Sequence, residues 1–230
     1  MSVPRRNKAV YASYDRDVTL VVTSTEHPTN PRGELAFGTI VCWGKHRHLG
    51  DFHIYANPIE FLMQFAHPAG VREEILRGYL LKEKSEEDTI KELYELAKSN
   101  PEVCILPFYL YEHSGQTVST VPFSCPWDSK QVGWIYITKA QLGSFEANWD
   151  EVEKHLEKEV ELYDHFIRGD VYEFELARLL ECPCCKHSSK EVLARGWNFF
   201  GTDFVNNGLK EELPEEYRHL VDKLEHHRGR

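Results

Sequence analysis

The sequence predicts an α+β fold: antiparallel sheets with helices packed on one face, closed by a C-terminal β-hairpin and short helices. Three observations carry this reading. Short runs such as Val18–Ser24 (VTLVVTS) and residues 37–43 (FGTIVCW) are rich in β-branched and apolar residues over strand lengths. Over residues 150–168, Val152, Leu156, Val160, Tyr163 and Ile167 step by four, four, three and four, the period of a helix with one buried stripe. Strand runs and helix runs are also mixed without the regular alternation of a parallel βαβ sheet.

In chain order, the two prolines, Asn30 and Gly33 of EHPTNPRG make a loop between the first two strands. The second strand has no polar face, which predicts burial on both sides. A histidine-rich loop, GKHRHLGDFH, follows. Asn57-Pro58-Ile59-Glu60 starts a helix, with Asn as N-cap, Pro at the first helical position and Glu at the third. Phe61, Leu62 and Phe65 supply its apolar face. A second helix spans residues 71–82. Ser85 caps a third, in which Ile90, Leu93, Tyr94 and Ala97 recur at helical spacing until Asn100-Pro101 ends it. Residues 103–111 form a strand whose Pro107 predicts a bulge or an edge position.

EHSGQ is a turn, and residues 117–121 and 132–138 complete an antiparallel meander. The long helix ends at Gly169 as C-cap. Residues 171–180 and 191–200 form a hairpin turned by ECPCCKHSSK, and short helices over 205–212 and 215–226 close the chain. This suggests a main α+β body over residues 1–169, with residues 170–230 as a hairpin-and-helix part packed on the same core.

The 230 residues are 41% hydrophobic and 12% aromatic, enough for a core without disulfides. Basic residues number 27 against 37 acidic, net −10, which argues against non-specific nucleic-acid binding and suits a basic partner. Residues 146–181 hold 12 acidic and 4 basic residues, either the solvated face of the long helix or an acidic docking surface. The N-terminal stretch has no apolar signal-peptide core, and no apolar run approaches the ~18 residues of a membrane span. These features point to a cytoplasmic chain that meets no membrane. In that reducing compartment the six cysteines read as thiols or metal ligands.

Four groups of residues carry candidate chemistry. In FSCPWDSK, Cys125 has the access a nucleophile needs and Asp128 can orient a base. A packing role for Cys125 and Trp127, with Asp128 fixing the turn, is the other reading. His113 is the nearest histidine in sequence. With a strand over 117–121 between them, five or six residues at about 3.3 Å each put His113 and Cys125 roughly 17–20 Å apart. The base is therefore expected from His46, His48 or His53, or from His165 on the long helix. His46, His48, Asp51 and His53 lie within eight residues and form either a divalent-metal set or a solvated polar loop.

Glu157, Glu161, Asp164 and His165 share the long helix, with Glu161 and His165 four apart on one side. They offer acid–base or metal chemistry, or an ordinary helix surface. Cys182-x-x-Cys185 with His187 is half of a zinc knuckle, to which Cys184 or a distant residue would add a ligand. The phosphate-binding patterns Gly-x-Gly-x-x-Gly and Gly-x-x-x-x-Gly-Lys-Ser/Thr are absent, as is Gly-x-Ser-x-Gly.

Several blocks resemble a family of proteins carried by bacteriophages and other mobile elements. They are NPRGELAFGTIVCWGKHRHLGDFH, LPFYLYEHSGQTVST, FSCPWDSKQVGWIYITK, EVELYDHFIRGDVYEF and the terminal hairpin CPCCKHSSKEVLARGWNFFG, which together span roughly residues 30–201. The matching positions are Cys42, Leu49-Gly50-Asp51, His53, His113 to Gly115, Cys125 to Ser129, Gln131, Gly133, Glu161, Asp164 and Gly169 to Tyr172. The chain departs at Gly44, where the family often has histidine, and at Lys130 and Glu173, where it has glycine.

The resemblance implies a phage or mobile-element origin and an intracellular setting, and no particular reaction. Two functional expectations follow. One is a non-enzymatic accessory protein that binds a host or phage component, protein or small molecule, and modulates a host function such as defence. The other is a metal- or cysteine-dependent hydrolase in which Cys125, Asp128, Asp51, His53, Glu161 and Asp164 converge.

Overall fold

A computed structural model describes residues 10–33, 36–113, 115–125, 127–143, 145 and 147–227. The chain is α+β. Its elements in order are β1 (Val10–Asp15), β2 (Val18–Ser24), β3 (Thr39–Cys42), α1 (Pro58–Met63), α2 (Ala69–Leu80), α3 (Glu86–Lys98), β4 (Val103–Glu112), β5 (Gln116–Ser119), β6 (Ser129–Thr138), α4 (Lys139–Leu142), α5 (Val152–Arg168), β7 (Val171–Glu181), β8 (Ser188–Phe200), α6 (Leu209–Glu212) and β9 (Glu225–His227). Short 3-10 turns occupy Gly44–Leu49, Trp149–Glu151 and Glu215–Lys223.

Local signals place the helices. The Asn57 side chain accepts from the Glu60 N–H, and Ser85 does the same for Asp88. In α5 the buried side chains are Val152, Leu156, Glu159, Val160 and Tyr163, the predicted stripe with one carboxylate in it and with its last member, Ile167, only half-buried.

The contacts divide the chain into two compact units, residues 1–30 with 165–230 and residues 31–164. The first is built on an antiparallel sheet of order β8-β7-β2-β1-β9. Here β2 pairs along β7 from Val18↔Arg178 to Ser24↔Tyr172, so the N-terminal hairpin belongs with the C-terminal one. The division suggested by the sequence, 1–169 and 170–230, cuts across this sheet. Leu20, Val22, Phe174 and Leu176 form its core with Phe199, Phe204, Leu209 and Leu220. The terminal helix expected to reach His226 stops at Lys223, because Glu225–His227 pairs with β1 as an edge strand.

The second unit carries the sheet β3-β6-β4-β5. Helices cover both its faces, where the sequence suggested one. Phe61, Leu62, Ala66, Leu93 and Ala97 of the α1–α3 region pack with Val41, Trp134 and Tyr136. A Cβ at Gly38 would meet both Leu156 of α5 and Ile135, a neighbour of those two residues that points the other way. This two-sided cover is why the middle of β6 is apolar at every position.

The meander is corrected. Strand β4 lies between β5 and β6 rather than at one side, with β6 antiparallel to it from Val103↔Thr138 to Tyr111↔Ser129. Pro107 sits in this central strand opposite Trp134, and the register slips one residue later, between Phe108 and Tyr109. The proline thus marks a bulge and not an edge.

Candidate functional site

The return of β6 alongside β4 overturns the separation expected between His113 and Cys125. Tyr111 lies opposite Ser129, and the Glu112 N–H donates to the Asp128 carbonyl at 2.9 Å. The loop before β6 therefore ends beside the turn after β4. His113 Nδ1 is 3.6 Å from Asp128 Oδ2, and Cys125 Sγ donates to that same oxygen at 3.5 Å. The estimate of 17–20 Å failed because it ran the chain out along β5, whereas β4 pairs with both neighbours at once.

The resulting order is thiol, carboxylate, imidazole. A cysteine nucleophile needs the imidazole next to the sulfur, with the carboxylate behind it. Here the carboxylate stands in the middle. Cys125 and Asp128 are half-buried, and Trp127 between them is 92% exposed, against the expectation that it packs. The glycine of this block has a packing role. A Cβ on Gly133 would lie 1.8 Å from the Val41 carbonyl oxygen, so only glycine lets β6 approach β3 so closely.

Asp51 and His53 are engaged elsewhere. The Asp51 Oδ2 accepts from the Ile40 N–H at 2.7 Å and pairs with the Arg32 guanidinium. Gly50 makes this reach possible, since a Cβ there would stand 2.9 Å from the Ile40 carbonyl oxygen. Arg32 also pairs with Glu159 and donates to the Gly38 carbonyl at 2.7 Å. Its side chain is 3% exposed.

Glu159 accepts from the N–H groups of Phe37 and Gly38 at 2.8 and 2.7 Å. Burial pushes its carboxyl above the ordinary value, and Arg32 and those two N–H groups partly offset that. This buried Asp51–Arg32–Glu159 cluster ties the 32–40 segment to the Asp51 loop and to α5. Sequence reasoning missed Arg32 and Glu159. The signal for Glu159 was present: it lies three residues after Leu156 and four before Tyr163, inside the apolar stripe.

His53 is buried, and its Nε2 lies 2.8 Å from the Cys42 carbonyl, so Nε2 carries the proton. Its Nδ1 is buried without a hydrogen-bond partner, and the ring stacks on Tyr55. Cys42 is buried too, and burial first and Asp51 second push its thiol up to about 12. His46 is buried, while the His48 Nδ1–H donates to the Lys45 carbonyl at 2.9 Å. Among the described residues, His46, His48, Asp51 and His53 do not form a cluster of metal-ligand atoms.

On α5, Glu161 pairs with Lys158 at 2.8 Å in solvent, and Asp164 accepts from the Val118 N–H of β5 at 2.9 Å. Glu157 is exposed, and His165 Nδ1 is buried without a hydrogen-bond partner. A cleft of about 410 Å³ in the first unit is lined by Thr25, His27, Glu173 and Trp197, among others. One of about 280 Å³ in the second is lined by Cys104, Trp149 and Glu153, among others. None of the sequence-predicted site residues lines either.

The β7–β8 turn brings sulfur together. Sγ atoms of Cys182, Cys184 and Cys185 all lie within 4.8 Å of one another, and the first two are 3.0 Å apart. The set expected from sequence was Cys182, Cys185 and His187; the structure puts Cys184 in the trio and leaves His187 out of it. The cause is the tight closure of the hairpin, in which the Lys186 N–H donates to the Cys182 carbonyl at 2.9 Å with Lys186 at φ 60°. The Cys184 thiol, then backbone N–H groups, hold Cys182 down to about 6.

No family model, curated protein or solved structure matches the chain. Among the described residues, no helix is long and apolar enough to cross a membrane.

Proposed function

We propose that the chain is a non-enzymatic accessory protein of a bacteriophage or mobile element. It binds a host or phage component, protein or small molecule, in the bacterial cytoplasm and modulates a host function such as defence. The observation that carries this reading is Trp127, 92% exposed in the turn of the FSCPWDSK block. Its neighbours are held: Cys125 and Asp128 by their mutual hydrogen bond, and the Asp128 backbone by Glu112. An exposed tryptophan between two tethered residues has the form of an interface anchor, since it buries a large area at small entropic cost. Phe52 and Ile54, 88% and 80% exposed beside the Leu-Gly-Asp block, add apolar surface of the same kind. The polar members of the Leu-Gly-Asp block and its flank are spent on the fold, as Asp51 and His53 show.

The test is affinity capture with the full chain from a bacterial host, comparing the wild type with Trp127→Ala and Cys125→Ser. The expected result is one component held by the wild type and by Cys125→Ser, lost by Trp127→Ala, and bound stoichiometrically once purified. A second reading, cysteine-dependent hydrolysis, rests on the proximity of Cys125, Asp128 and His113, with His113 in place of the expected Asp51 and His53, and requires the imidazole to move from the carboxylate to the sulfur. Turnover of ester or amide substrates that is abolished in Cys125→Ser and intact in Trp127→Ala would establish the second reading and overturn the first.

A further inference from the structure

We infer that the tip of the β7–β8 hairpin is a three-thiolate site for a d10 thiophilic cation, zinc(II) or copper(I), formed by Cys182, Cys184 and Cys185. Three independent features support it. The sulfurs lie within 4.8 Å of one another. With metal–sulfur bonds of about 2.3 Å, trigonal or tetrahedral geometry needs sulfurs roughly 3.8–4.0 Å apart, so small side-chain rotations suffice.

The second feature is preorganisation. The Cys182 N–H donates to the His187 carbonyl at 2.8 Å, and the Lys186 N–H returns to the Cys182 carbonyl at 2.9 Å. Glu181↔Ser188 is the last pair of the ladder beneath them. Backbone hydrogen bonds thus close the loop without help from the sulfurs, so binding has little chain to order. The third is access. Cys184 and Cys185 are exposed and Cys182 half-buried, so the trio does not serve as core packing. Soft thiolate donors select for the zinc and copper(I) class over magnesium or calcium. Three sulfurs leave the fourth tetrahedral position of zinc open to water or to a donor from a partner. His187 lies opposite Cys182 across the turn but outside the sulfur cluster.

The experiment uses the full chain, purified under reducing and metal-free conditions and titrated separately with Zn2+ and Cu+ against a competing chromophoric chelator. One ion per chain is expected, and Co2+ should give an intense thiolate-to-metal charge-transfer band. Cys184→Ser and Cys185→Ser should each lower affinity roughly a hundredfold or more. These positions are exposed, so the variants should keep the wild-type circular dichroism and melting curve. His187→Ala should retain binding. Which of the two ions binds more tightly distinguishes the zinc from the copper site. Wild-type stoichiometry near zero for both overturns the inference. So does full binding in Cys184→Ser with loss in His187→Ala, which would assign the Cys182, Cys185 and His187 set instead.

Discussion

His113 Nδ1 stands 3.6 Å from Asp128 Oδ2, although 14 residues and a whole strand lie between them in the chain. The His113 side chain is 67% exposed and that of Asp128 34%, so the pair is screened by solvent. Such pairs are worth less than about 1 kcal/mol. His113→Ala should therefore leave the urea midpoint nearly unchanged. If it nonetheless removes a Cys125-dependent activity, its role is chemical and the hydrolase reading gains. If activity is absent in the wild type as well, the pair only ties two turns together.

Trp127 separates binding from folding. Its ring is exposed, so Trp127→Ala should shift stability by no more than about 0.5 kcal/mol. Loss of an interface anchor costs about 2 kcal/mol or more, roughly thirtyfold in Kd. Calorimetry with the captured partner, beside a thermal melt of the variant, measures both quantities.

Arg32 should behave in the opposite way. It is the shared cation of two buried or half-buried carboxylates, Asp51 and Glu159. Arg32→Leu leaves both without it and should destabilise the second unit by about 3–5 kcal/mol. Trp43 and Trp134 report on that unit, since Trp134 lies in its core and Trp43 packs against it. Urea denaturation followed by tryptophan fluorescence is the measurement.

The raised carboxyl of Glu159 gives a signed pH dependence. Its folded value lies above the ordinary 4.5, mainly through burial. The group then favours the folded state most when protonated, below its unfolded value. That contribution is lost as pH rises through the folded value. The wild type should accordingly lose stability relative to Glu159→Gln as pH rises from the ordinary carboxylate value upward. Paired denaturation curves across that interval check it; a constant difference would contradict the assignment of burial as the leading cause.

Thiol mapping orders the six cysteines. Cys42 is buried, with its thiol pushed up to about 12, and should resist alkylation until the chain is denatured. Cys104 is half-buried and pushed up to about 11 by burial first, so it should react slowly. Cys125 and the exposed hairpin cysteines should react in the native chain, as read by mass spectrometry of the labelled peptides.

Much of this chain was legible because its signals are local. The Asn57 and Ser85 caps act within one helical turn, and the stripe of α5 and the alternation of β2 need only neighbours in sequence. The glycines at 50 and 133 stood out as block residues, but only the backbones of Ile40 and Val41 explain them. What the residues alone determined was therefore most of the elements, though neither the β1 nor the β9 strand, together with the α+β class and a thiol-rich hairpin turn. Tertiary structure decided which strands pair. A strand's hydrogen-bonding edges are the same on either side, so nothing within β4 says that β5 and β6 take opposite edges, or within β2 that β7 becomes its neighbour. That choice brought His113 to Asp128 and Arg32 to Asp51 and Glu159. It also left Trp127, which reads in sequence as packing, facing solvent.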